Sequence, residues 1–136
     1  FQTIQRIAPL CYGLVQNTAL PERYINPIAQ QLFHESILLE NETWSESASR
    51  GWSKYMVTLI AKELVKQQNI TPPVICTLLD LDEECITIDL LRNSMLAQEN
   101  IDFLVKNTSS IQVLEEIEQD TSLSEETRVF AALRRG

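Results

Sequence analysis

The sequence predicts an all-α fold of five to eight helices, arranged as an irregular multi-helix bundle or a short helical-repeat stack. Three observations carry this expectation. Apolar residues recur at three- and four-residue spacing through most segments, the period of one helix face. Helix-start text precedes several of those segments, at Asn26-Pro27, Thr71-Pro72 and Ser122-Leu-Ser-Glu125. Only three glycines and five prolines punctuate the 136 residues, too little turn chemistry for a sandwich of short strands.

In chain order, Ile4, Ile7, Ala8, Cys11, Leu14 and Val15 lie at helical spacing, with Pro9 either in a first turn or at a kink. Residues 17–23 read as a polar connection. Asn26 then caps a helix with Pro27 in its first position and an end near Glu40, where a missing N–H at the start costs nothing. A polar link over 41–47 follows, with Trp44 expected to fold back onto the core.

The richest stretch is 49–68. Trp52, Tyr55, Met56, Leu59, Ile60 and Leu64 form one apolar stripe, capped from Ser47 or Ser49. Burying six such side chains is worth roughly 9–18 kcal/mol gross. The other helices are therefore expected to pack around this one.

Thr71 caps the next element, with Val74, Ile75, Leu78 and Leu79 in a stripe. The stretches 74–79 and 85–91 are rich in β-branched residues and suit either two helices or a hairpin across the acidic turn. Helices are favoured, because a lone hairpin has no neighbouring strands to pair with. Asn100 caps a short helix with Ile101, Leu104 and Val105. Ser109 or Ser110 caps another with Val113, Leu114 and Ile117. The capping box at 122–125 opens a last helix through Val129, Phe130, Ala132 and Leu133.

The length fits a single domain over 1–136. Its start at Phe1 and its end at Gly136 make it read as an excerpt of a longer protein or a processed one. A 44% hydrophobic fraction supports a real core. The net charge of −8 is lopsided: residues 1–79 balance, whereas residues 80–136 carry thirteen acids against five bases. That field disfavours nucleic acid and anionic membranes, and no apolar run reaches transmembrane length. Cys11, Cys76 and Cys85 are an odd set without metal or redox spacing, expected as buried thiols in a reducing, cytoplasmic compartment. Glycosylation-type triplets begin at Asn41, Asn69 and Asn107, and the last two read as capping text.

Catalytic machinery is scarce in the sequence. His34 is the single histidine, and His-Glu-Ser-Ile-Leu lacks the second histidine of a zinc-protease helix. No glycine-rich phosphate loop or nucleophile elbow accompanies it. The carboxylate clusters at 82–84 and 115–118 lack the alternation and glycine of a calcium loop and suit helix starts and solvated faces. No cofactor or metal is called for.

One charged pattern stands out. Arg50, Lys54, Lys62 and Lys66 recur at multiples of four, with Thr58 in the gap, as a basic stripe off the apolar face. In an acidic chain it suits either the chain's own acidic half or an acidic partner, or else a plain solvated face. Trp44, Tyr12 and Tyr24 are further candidates for interface anchors.

Residues 69–82 can be laid on residues 107–120 at an offset of 38, matching Asn69 with Asn107, Thr71 with Ser109, Ile75 with Val113, Leu79 with Ile117 and Asp82 with Asp120. With Thr127-Arg-Val-Phe-Ala-Ala-Leu133, the stretch 105–133 resembles the leucine-rich-repeat-variant and HEAT-like families. The resemblance implies stacked helix pairs that bind other proteins. Ser110 stands where the variant motif has proline, and Gln119 where a small residue is usual. The expectation is a non-enzymatic protein-interaction or scaffolding domain. The alternative is a helical sensor or small-molecule-binding domain with a pocket among Trp52, Tyr55 and Phe33.

Overall fold

The computed structural model describes residues 1–136, except for the side chain of Glu83. Among the described residues there are nine α-helices and no strand. After a 3-10 turn at Ile4–Arg6 come α1 (Ala8–Val15), α2 (Glu22–Asn41), α3 (Trp44–Arg50) and α4 (Lys54–Leu64). Then follow α5 (Pro72–Leu79), α6 (Glu83–Leu91), α7 (Gln98–Asn107), α8 (Ile111–Gln119) and α9 (Glu125–Arg135). The all-α expectation holds, and the hairpin alternative over 74–91 gives way to α5 and α6.

The helix beyond the expected eight is α3, where a polar link was expected. Its text was legible: Thr43 accepts from the Glu46 N–H, and the Glu46 carboxylate accepts from the Thr43 N–H. Gly51, at φ 76°, ends it in the left-handed region that glycine enters without strain. Trp44, at 85% exposure, does not fold back onto the core.

The stretch 49–68 is therefore two elements. Ser53, and neither Ser47 nor Ser49, caps α4 by accepting from the Met56 N–H. The buried face of α4 is Val57, Ile60, Ala61 and Leu64. Tyr55 is 70% exposed and Leu59 only half-buried. Trp52 lies before the helix, buried, with its indole N–H donating to the Arg6 carbonyl at 2.9 Å. Two stripes share Ile60 and Leu64, and packing on α1 and α2 selects the one containing small Ala61.

The hub is α2. It buries Ile25, Ile28, Ala29 and Leu32, and it packs on α4, α5 and the 3-10 turn. It begins at Glu22 rather than at Asn26, so Pro27 sits inside it. The bond Pro27 cannot donate falls on the carbonyl of Arg23, an exposed residue. Ile25, wholly buried, sits in the added turn.

From there the packing proceeds along the chain: α5 on α6, α6 on α8, and α9 on both α7 and α8. The main core joins α1, α2, α4 and α5 through residues such as Val15, Leu32, Leu64 and Ile75. A smaller core gathers Val105, Val113, Leu114, Ile117 and Ala131.

Polar ties hold the connections. Buried Gln67 donates to the Val15 carbonyl and accepts from the Leu20 N–H. Asn93 donates to the carbonyls of Val65 and Gln67. Asn100 is no cap: Ala97 occupies that position, and Asn100 is buried within α7, donating to the Ile70 carbonyl. Thr71 sits at the cap position of α5 without a side-chain capping bond. Asn69 and Asn107 instead donate to the carbonyls of Leu20 and Phe103. Ser110 caps α8 as one of the two expected residues, and Ser124 replaces Ser122 as the cap of α9. The Ser122 hydroxyl donates to Asp120.

Candidate functional site

The basic stripe separates into two parts. Arg50 ends α3, and the left-handed turn at Gly51 cuts it from α4. Its guanidinium faces inward to two carboxylates of α2 and its end: Nε donates to Glu42 at 2.9 Å, and Nη1 lies against buried Glu35. The hydrogen bond to Glu42 is the largest cause holding the guanidinium charged beyond its ordinary range, with Glu35 adding to it. Gln31 completes the cluster by donating to Glu35 at 2.8 Å. Arg50 thus ties α3 to α2, and its charge is engaged within the fold.

Lys54 and Lys62 remain together along the solvent edge of α4, and Lys66 stands in the turn just past its end. Lys54 and Lys62 make no ion pair among the described residues, and Lys66 makes only a loose one with Glu63 at 3.4 Å. The side they border is a groove between α4 and α6, closed from behind by α2. Its cavity is about 290 Å³, with Leu39, Val57, Ala61, Leu81 and Ile86 as an apolar floor. Lys54, Thr58 and Lys62 form one wall, and Asp82, Cys85 and Asp89 form the other.

A second cavity, about 450 Å³, continues past the ends of both helices. Lys62 and Asp89 line it as well, joined by Lys66, Arg92 and Met95. The two cavities adjoin at Lys62 and Asp89, and the trough between α4 and α6 comprises both. Asp82, Asp89 and Arg92 were missed as site residues: Asp82 reads as a cap, a role it also plays for Cys85 N–H, and Arg92 is one base in an acidic half. Nothing in the sequence alone sets α6 beside α4.

The thiols divide. Cys11 is buried, its Sγ within 3.0 Å of the Gln5 carbonyl oxygen, and burial pushes its pKa up to about 11. Cys76 and Cys85 are exposed, against the expectation of burial, because both lie on the outer faces of short helices. Neighbouring Asp82 is the main cause raising the Cys85 pKa.

Other surfaces are plainer. Exposed His34 borders a polar cavity with Arg6, Gln31, Glu35, Arg50 and Trp52. Glu35 there is already paired, so it is no free base. Trp52 is 2% and Tyr55 70% exposed, so the two do not share a pocket with Phe33. Val129, Phe130 and Leu133 form an exposed apolar line on α9. Tyr12 and Tyr24 are half-buried against the core. Among the described residues, no three His, Cys, Asp or Glu side chains are grouped to hold a metal, and no helix is long and apolar enough to cross a membrane. Compared with known proteins, the chain matches no family model, no curated protein and no solved structure.

Proposed function

We propose that this chain is a non-enzymatic protein-interaction or scaffolding domain of a larger cytoplasmic protein or assembly. The observation that carries the proposal is the trough between α4 and α6: an apolar floor with unpaired lysines along one wall. Such a combination suits a protein segment that brings both apolar and charged side chains. The carboxylates in the same trough, with the chain's net charge of −8, argue against nucleic acid as the occupant. Free cysteines suit a reducing compartment. Helix α5 lies within 69–82, and α8 with most of α9 lies within 105–133, the stretches that resemble leucine-rich-repeat-variant and HEAT-like text, which supports a binding role.

The test is recovery of partners on wild-type chain and on Lys54→Glu/Lys62→Glu. Both lysines are exposed, so helicity by circular dichroism should be unchanged while specific partners are lost. Equal recovery on both proteins would end the proposal.

A second reading, a regulatory small-molecule domain, draws on the groove's apolar floor and its volume near the lower bound for ligand pockets, on the order of 300 Å³. Reproducible thermal stabilisation by one ligand class, abolished by a bulky substitution at Thr58, favours it over the first.

A further inference from the structure

Resting on the protein-interaction reading, we infer that the trough takes one amphipathic helix of a partner, and that the trough fixes its direction. The helix lies antiparallel to α4, with an acidic first turn beside Lys62, Lys66 and Arg92. Its apolar stripe rests on half-buried Leu39 and Leu81 and on the edges of Val57 and Ile86 beneath them, and its basic last turn lies towards Glu40 and Asp82.

The direction follows from how the walls are ordered. Lys54, Val57 and Thr58 share the first cavity with Asp82, Cys85 and Ile86. Lys62 lines both cavities, as does Asp89, and Lys66 shares the second with Arg92 and Asn93. Thus α4 and α6 run parallel, side by side, and their C-terminal ends face the same cavity. Charge changes along that line. The first cavity sets Glu40, Asp82 and Asp89 against Lys54 and Lys62, whereas Lys66 and Arg92 line the second only. The second cavity carries three cationic side chains against the single carboxylate of Asp89.

Two electrostatic effects then agree. A partner helix has its positive dipole end at its N-terminus, and the C-terminal ends of α4 and α6 are the negative ends of theirs. Acidic side chains are also favoured in the first turn of any helix, and here they meet the three cations. The reverse orientation would set three parallel dipoles side by side and place basic side chains against Lys66 and Arg92.

The occupant's form follows from the walls. Both are helices with their backbone groups paired internally, so no strand edge is offered to an extended peptide. The trough accompanies α4 for its eleven residues, about 16 Å, which is three helical turns. Met95, exposed at the basic end, adds an adaptable apolar contact.

The test uses two display libraries of helical peptides about twelve residues long, three turns. Both carry leucines at helical spacing and equal numbers of acids and bases. One has the acids in the first turn and bases in the last, and the other has them reversed. Each is selected on the full wild-type chain. Binders should come from the first library and shift amide resonances of α4 and α6. Lys62→Glu/Arg92→Glu should weaken them at least about tenfold and should instead select from the reversed library. Thr58→Trp, at an exposed wall position, should block both libraries without altering thermal stability.

Binders from the reversed library on the wild-type chain, or binding indifferent to these variants, would overturn the inference. Binders that map to α9 would overturn it while leaving the interaction reading in place. Failure of every peptide, together with equal partner recovery on Lys54→Glu/Lys62→Glu, would end both.

Discussion

Gln67 is wholly buried yet polar, and its two bonds explain the burial. Nε2 donates to the Val15 carbonyl at 2.7 Å, and Oε1 accepts from the Leu20 N–H at 3.2 Å. Gln67→Met keeps the shape and strands both backbone groups. It should destabilise the fold by about 3 kcal/mol, read from the urea midpoint, and a loss below about 1 kcal/mol would contradict this role. Cys11 makes a different kind of prediction. In the folded chain its thiol holds its proton up to about 11, whereas the unfolded thiol ionises from its ordinary 9.0. Between those values the unfolded state releases a proton that the folded state keeps. Its contribution is therefore whole below pH 9 and lost as pH rises to about 11, at up to ~1.4 kcal/mol per pH unit. Urea unfolding at pH 8 to 11 should show a steeper fall of stability in the wild-type chain than in Cys11→Ala, which keeps Cys85. Parallel pH profiles would refute it.

At the scale of elements, the junction between α3 and α4 decides where the lysines stand. Gly51 turns the chain at φ 76°, with open space where a Cβ would go. Gly51→Ala therefore meets no clash and carries only the backbone strain, about 1–2 kcal/mol. Ser53→Ala removes the cap of α4 and should cost about 1 kcal/mol. The two residues are near neighbours, so the double variant measures their coupling. Thermal melts of the three variants check all of this, and an unchanged Gly51→Ala midpoint would contradict the left-handed turn. The elements were unevenly legible. Thr43 with Glu46 spells a capping box as plainly as Ser122 with Glu125 does, yet only the first forms one. The start of α2 was hidden because Asn26-Pro27 is a good local start, and burial of Ile25 outweighs it.

At the scale of the molecule, the two cores are unequal. The larger spans α1 to α7, and the smaller rests on α7, α8 and α9. Arg134 ties α9 back by donating to the carbonyls of Val105 and Thr108. A small core opens at lower free energy than the whole. Native-state hydrogen exchange should show α8 and α9 opening as a unit before α2 and α4. Leu114→Ala should weaken that unit by about 2–5 kcal/mol while leaving α2 protection nearly intact. Equal loss of protection across all helices would show one cooperative core instead.

Helical periodicity, the scarcity of glycine and proline, and several caps determined the class of fold, since those signals are local and need no partner element. The same is true of the acidic second half and of the lysines at four-residue spacing. Tertiary structure alone decided which of two overlapping stripes on α4 is buried, because Ile60 and Leu64 belong to both and only contact with α1 and α2 separates them. It also turned Arg50 inward to Glu35 and Glu42 and set Asp82, Asp89 and Arg92 opposite Lys54 and Lys62. Charges as far apart in sequence as Arg50 and Glu35, at 15 residues, or Lys54 and Asp82, at 28, are brought together only when helices pack, and no local spacing encodes that approach.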